Sequence, residues 1–158
     1  MIQIKPITND ADAATIAALE AQFAALHASM RQHGSTDELV SNGAKEWVAS
    51  VLPMAGRLTF LFGAWRGTQL VGFVAGVLRS LPPYLGSATV GMLTHIHVDV
   101  AERGHQLGEG LFLELAEIFK QRGAVRMEID VLAGNSVAQD FFVRMGAKPH
   151  HLLLHRSL

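Results

Sequence analysis

The sequence predicts one α/β domain with a mixed sheet, in the order β-α-α-β-β-β-α-β-α-β. Two observations predict it. Apolar residues recur at helical spacing in four segments, and between these lie short runs of β-formers, with Gly or Pro at most changes of period. With 158 residues, 17.1 kDa and 49% apolar composition, the chain has enough apolar mass for one core. Scaling of surface with mass gives about 7,800 Å² folded against about 25,000 Å² unfolded. A single domain over residues 1–158 follows, with no internal repeat or low-complexity segment.

Each element has its reason. Ile2 and Ile4 alternate with Gln3 and Lys5 before Pro6, a short strand closed by a residue that cannot donate to a ladder. Thr8, Asn9 or Asp10 can cap a helix over 11–31, whose inner stripe is Ile16, Leu19, Phe23 and Leu26. Gly34-Ser35-Thr36 breaks it, and a second helix is expected over 36–52, with Pro53 beyond its end. Leu58 to Trp65 and Gln69 to Arg79 form a hairpin around Arg66-Gly67-Thr68, with Gly72 and Gly76 opposite Val71, Phe73, Ala75 and Val77. Ala88 to Val98 is a third long strand, antiparallel to the second. A helix over 107–122 buries Leu107, Leu111, Leu115, Ile118 and Phe119 and stops at Gly123. Val125 to Val131 is a strand. Asn135 or Ser136 caps the next helix, Ser136 and Gln139 have capping-box spacing, and Gly146 ends it. His151 to Arg156 is expected as a closing strand.

Composition narrows the chemistry. There is no Cys, hence no disulfide, thiolate nucleophile or Cys-based metal site. Residues 1–100 hold six basic and seven acidic side chains and residues 101–158 hold seven of each, so no basic face marks a nucleic-acid partner. The amino terminus lacks the apolar core of a signal peptide, and no run approaches the ~20 apolar residues of a membrane span. The expectation is a soluble cytoplasmic protein.

The junction Ile96-His97-Val98-Asp99-Val100-Ala101-Glu102-Arg103-Gly104-His105-Gln106-Leu107-Gly108-Glu109 carries the chemistry. A strand feeding a Gly-containing turn into a helix start aims unpaired N–H groups and the positive end of the helix dipole at one point, where a phosphate fits. Arg103 adds a charge that pairs with phosphate. The same residues also suit an ordinary strand-to-helix turn with Gly at tight corners, and they form neither a Walker loop nor a dinucleotide fingerprint.

Here the sequence resembles the GNAT family of acyl-CoA-dependent N-acyltransferases, in which a V-x-P-x-x-[QR]-G-x-G-x-G-type segment cradles the pyrophosphate of acetyl-CoA. Val98, Arg103, Gly104, Leu107 and Gly108 match it, and Asn135, Ala138, Phe141 and Gly146 match the later N-x-x-A-x-x-F-Y-x-x-x-G pattern. The resemblance spans nearly the whole chain and implies a mostly antiparallel sheet with helices on both faces. It also implies a CoA site formed by Ile96, His97, Val98, Arg103, Gly104, His105, Gln106, Leu107, Gly108, Glu109, Asn135, Ala138 and Phe142. Two departures stand out: Gln106 replaces the first glycine of the family's G-x-G, and Phe142 replaces the tyrosine that protonates the leaving thiolate.

The implied reaction is direct attack of a primary amine, small-molecule or peptide, on acetyl-CoA, with a backbone N–H between Ile96 and Val98 stabilising the oxyanion. An ammonium of pKa ~10.4 is neutral about 0.04% of the time at pH 7, a handicap of about 4.6 kcal/mol, so a base is needed. Asp130, His95 and His97 are the candidates, each with a structural alternative; for Asp130 that is capping the next turn or pairing with Arg126 or Arg144. Other readings are an acyl-CoA-binding sensor without catalysis and a metal-dependent hydrolase using His95 and His97 with one of His150, His151 or His155. Homodimerisation through the final strand is expected by analogy with the family.

Overall fold

Alternating Ile2 and Ile4 lay down β1 (Ile2–Pro6) in the computed structural model, which describes residues 1–158. β1 pairs antiparallel with β2 (Thr59–Arg66), β2 with β3 (Gln69–Ser80), and β3 with β4 (Thr89–Val98). β5 (Met127–Ile129) lies parallel to β4 and ends the sheet, whose order is β1-β2-β3-β4-β5. The helices are α1 (Ala13–Gln32), α2 (Gly43–Val51), α3 (Leu107–Gln121) and α4 (Ser136–Arg144).

The helices divide between the two faces, as the sequence implied. α1 and α2 cover Phe73 and Ala75 of β3 with Leu19, Phe23, Val48 and Leu52. α3 and α4 cover Phe60, Val74 and Leu93 with Leu111, Leu115, Phe119 and Phe142. Each such Leu, Val or Phe contributes about 1.5–3 kcal/mol by leaving water. Close seating of α3 requires Gly91: a Cβ there would stand 2.2 Å from Cδ2 of Phe119.

Several elements differ from the sequence reading, each for a local reason. The cap of α1 is Asp12, which accepts from Thr15 N at 2.8 Å; Thr8 and Asp10 bond to each other in the preceding turn. α2 begins at Gly43 rather than near residue 36, because the chain folds Leu39 over the helix start, where a Cβ on Gly43 would stand 2.6 Å from Leu39 Cδ1. Val71 does not share a face with Phe73. Trp65 pairs with Leu70 but Ala64 with Gly72, so Val71 is a bulge residue and joins the α3 side. At α4 the cap is Asn135, accepting from Ala138 N at 3.1 Å, and there is no capping box: Gln139 donates instead to the carbonyls of Leu132 and Ala133.

The closing strand over 151–156 does not form. β5 has only three residues and offers a short edge to pair on, while Pro149 and three histidines weaken the segment as a strand. Leu152, Leu153 and Leu154 are therefore 83–88% exposed, and the chain's surface is 10015 Å², above the scaling value of about 7,800 Å². No helix is long and apolar enough to cross a membrane.

Candidate functional site

A second bulge builds the site. Ala75 pairs with His95 but Gly76 with Leu93, leaving Thr94 as the extra residue. Its effect on backbone direction follows from two hydrogen bonds: Gly91 N donates toward β5, to Arg126 O, whereas Asp99 N donates toward β3, to Val71 O. Alternation reverses at the bulge, so past it the amides of Ile96 and Val98 face away from β3. Pairing with β5 stops at Leu93 and Ile129, so these amides face the gap where β4 and β5 part. Ile96 and Val98 turn their side chains toward α3, and His95 and His97 turn theirs toward α1.

The gap leads to the start of α3. None of the amides of Gly104, His105, Gln106, Leu107, Gly108 and Glu109 donates to a carbonyl or side chain of the protein. They lead into a fifteen-residue helix, whose dipole puts its positive end beside them. Gly104 adopts φ +83° with open space around it. Gln106, where the family places glycine, adopts φ +61° and ψ +17°, so the left-handed conformation is kept although the residue has a side chain. The turn is braced from both sides: Arg66 of β2 forms a bidentate pair with Glu102, at 3.1 and 2.6 Å, and Arg103 Nε donates to Val98 O at 3.1 Å. The Arg66 hydrogen bonds hold the Glu102 carboxyl below its usual range. His105 Nδ1 lies 3.2 Å from Glu102 O.

The structure separates the remaining sequence-predicted residues. Asn135 caps α4, and Ala138 packs against the α3 core. Phe142 is only 6% exposed and lies among Phe112 and Phe141, a core side chain with no proton to give. Asp130 is exposed and bonds to neither Arg126 nor Arg144; Arg126 pairs with Glu128. His95 and His97 lie on the opposite side of β4 from Asn135, Ala138 and Phe142. Burial pushes His95 down to about 4, with repulsion from His27 adding to it. His97 is lowered by burial and by Arg103, against an opposing pull from Asp99. The imidazole ligands supposed for a metal do not assemble: no three His, Asp or Glu side chains come together in metal-binding geometry, and His150, His151 and His155 lie in the exposed tail.

Three polar residues escaped the sequence reading. Gln22 is 7% exposed; its Nε2 donates to Leu70 O at 3.1 Å and to Asp99 Oδ1 at 2.9 Å, and its Oε1 is enclosed without a partner. Asp99 Oδ1 in turn lies 3.9 Å from His97 Nε2. His27, one turn past Phe23, shares its ring cluster with Phe23 and His95. The available signal was positional, since Gln22 and His27 interrupt the apolar stripe of α1 at its inward face.

Two clefts lie elsewhere. One, of about 280 Å³, is lined by Lys5, Thr8, Thr15 and Trp65, and the other, of about 110 Å³, by Phe60, Phe62 and Ile118. Neither touches the free amides. The free amides lie at the β4–α3 junction.

Comparison with known proteins bears on fold and family. At 14% identity, an aminoglycoside N-acetyltransferase AAC(6')-Iy solved in complex with CoA superposes with a TM-score of 0.79, over 99% of this chain and 95% of that one. A ribosomal-protein-alanine N-acetyltransferase from Brucella melitensis biovar Abortus 2308 gives 0.69 at 18% identity over 100% of both chains. A transcriptional regulator from Bacillus halodurans C-125 gives 0.75 at 17% identity, again over 100% of both. At these identities the likeness is one of fold. No curated protein matches the sequence significantly. The acetyltransferase (GNAT) family matches residues 23–147, more than half of the chain including the bulged β4, the free amides and the capped α4, and the chain belongs to that family.

Proposed function

We propose that the protein transfers an acetyl group from acetyl-CoA to a primary amine by direct attack in a ternary complex. One observation carries the reading: six consecutive amides, Gly104 to Glu109, are left without acceptors at the mouth of the gap between β4 and β5. A diphosphate suits those amides, and an extended pantetheine arm suits the gap, where the outward amides and carbonyls of Ile96 and Val98 offer it strand-like hydrogen bonds. In this arrangement Arg103, Gly104, His105, Gln106, Leu107, Gly108 and Glu109 bind the phosphates, and Ile96, His97 and Val98 line the arm. Asn135, Ala138 and Phe142 support the far wall.

The amine nitrogen forms its bond to the thioester carbonyl carbon while the C–S bond breaks. The amide of Ile96, next to the bulge, stabilises the carbonyl oxygen as it gains charge. His95 is the base best supported by position, beside that amide and unprotonated at neutral pH. Asp130 and His97 are weaker candidates. Asp130 is exposed and faces no candidate partner, and His97 lies farther from the bulge, beside Asp99. With Phe142 unable to donate a proton, the thiolate leaves unaided; its thiol, of pKa near ~8.5, makes that tolerable.

Isothermal titration with acetyl-CoA and with CoA tests the cofactor half, with micromolar binding expected. Thiol release tests the transfer half: sisomicin and an alanyl peptide sample the acceptor classes named for structural relatives, and n-butylamine adds a simple primary amine. Binding without thiol release from any of the three would favour the acyl-CoA sensor. A failure of acetyl-CoA to bind would end both readings.

A further inference from the structure

One polar side chain is buried where α1 covers the sheet, and packing does not account for it. Gln22 lies beside Leu19 and Phe23 on the inward face of α1 and is 7% exposed. Leucine or methionine would continue that apolar face. Gln22 instead donates from its amide to Leu70 O at 3.1 Å and to Asp99 Oδ1 at 2.9 Å, and leaves Oε1 enclosed without a partner. The orientation is forced: a backbone carbonyl and a carboxylate only accept, so the nitrogen must face them. The unmet Oε1 is the consequence of presenting two donors.

Both bonds end at the base of the turn that carries the free amides. Leu70 precedes Val71, whose carbonyl accepts from Asp99 N at 2.9 Å; Asp99 O accepts from Glu102 N at 2.9 Å and so starts the turn Val100–Glu102. An Asp in that place often bonds its own side chain to the turn, but the Asp99 carboxylate makes no such bond. It faces α1 instead, where Gln22 is the one hydrogen-bond donor it has; His97 Nε2, at 3.9 Å, is beyond reach.

Three side-chain tethers therefore hold the turn, and they differ in exposure. Arg66 on Glu102 and Arg103 on Val98 O lie at the surface, where water and salt compete with them. Gln22 on Asp99 is sheltered beneath α1 and is charge-assisted, so it is the tether that holds most firmly.

We propose that Gln22 is a positioning residue for the cofactor: acting through Asp99, it fixes the start of the turn so that the amides of Gly104 to Glu109 are set for the diphosphate before acetyl-CoA arrives. The role rests on the acetyltransferase reading and deepens it, because part of the cofactor site is then built from α1, on the face of the sheet opposite α3. Preorganisation of this kind strengthens cofactor binding and leaves the chemical step alone.

Isothermal titration of the full chain with acetyl-CoA tests this. Gln22→Met keeps the apolar face and removes both donors; it should raise Kd about tenfold, as the loss of one charge-assisted hydrogen bond would, while kcat at saturating acetyl-CoA stays within about twofold of wild type. Asp99→Leu should raise Kd by the same factor, whereas Asp99→Asn, whose Oδ1 still accepts from Gln22, should stay within about threefold of wild type. The double variant Gln22→Met with Asp99→Leu should bind no more weakly than either single one, because the same bond is lost only once. A Kd for Gln22→Met within about twofold of wild type, whatever its Tm, would overturn the role and leave Gln22 a packing residue. Effects that multiply to about a hundredfold in the double variant would overturn the route through Asp99. Should Gln22→Met fail to fold, Asp99→Leu and Asp99→Asn decide between them, and equal Kd values for the two would overturn the role. No binding of acetyl-CoA by the wild type would instead mark the failure of the function itself.

Discussion

The two faces of the sheet treat polar atoms differently. Against α3 and α4 the sheet presents Phe60, Val74 and Leu93 to Leu111, Leu115, Phe119 and Phe142, and no buried side-chain nitrogen or oxygen lacks a partner there. Against α1 it presents His95 and His97, and the opposing helix contributes Gln22 and His27; all three enclosed unpartnered atoms of the protein, Gln22 Oε1, His27 Nε2 and His95 Nδ1, lie on this side. Such atoms weaken a fold, and under the proposed function their confinement to one face marks where stability is exchanged for chemistry. The α3 face holds the sheet together and the α1 face is where an amine could be handled.

Phe119→Ala probes the first half of that contrast. Phe119 is 2% exposed and packs on Gly91 and edge-to-face on Phe60 at 6.0 Å, so its loss should destabilise by about 3–5 kcal/mol in urea unfolding. A loss below about 1 kcal/mol would show that α3 is not the structural side.

Acidification comes next in size and acts on the other face. His95 has its midpoint lowered from 6.5 to about 4 in the folded chain, so the unfolded state binds the proton first as pH falls. Stability from this group is complete above about pH 6.5 and is lost down to about pH 4, up to about 3 kcal/mol over that window. His27 and His97 are lowered too and act in the same direction. His95→Phe should flatten the profile between those limits, and a wild-type stability independent of pH there would contradict the burial of the ring.

The same substitution gives a smaller effect at neutral pH. It replaces an enclosed, unpartnered nitrogen with carbon among Phe23 and Trp47, so stability should stay level or rise by up to about 1 kcal/mol. Turnover, by contrast, should fall about 10²–10⁴-fold. If His95→Phe unfolded the protein as Phe119→Ala should, the two faces would not differ in kind.

This contrast was only half legible in the sequence. Helical stripes such as Leu111, Leu115 and Phe119 announce a buried face because burial repeats with the helix, and the Val98 to Gly108 segment announces a turn with free amides because glycine and helix starts are local features. The bulges at Val71 and Thr94 are not local properties. Each follows from how two strands register, and each reverses the alternation of side chains along the strand, which is why Val71 fell on the unexpected side. Gln22, His27 and Asp99 were invisible for a related reason: their meaning lies in partners 48 to 77 residues away along the chain, such as Leu70 for Gln22 and His95 for His27. The closing strand was expected from composition alone, but a strand needs an edge, and β5 offers three residues of it.

The smallest predicted effect sits where the two faces meet, at Gln106. Its left-handed backbone disfavours a side chain by about 1–2 kcal/mol, while a glycine there would gain about 0.5–1 kcal/mol of unfolded-chain freedom. Gln106→Gly should therefore stabilise by a few tenths to about 1 kcal/mol, a rise of roughly 1–4 °C in Tm for a chain of this size. The turn's geometry would be unchanged, since Gln106 already holds the conformation that glycine prefers, and acetyl-CoA affinity should rise no more than about twofold. A loss of affinity on this substitution would mean that the Gln106 side chain itself contacts the cofactor. A fall in Tm would mean that the strained turn is held by a contact of that side chain rather than by its braces, Arg66 on Glu102 and Arg103 on Val98.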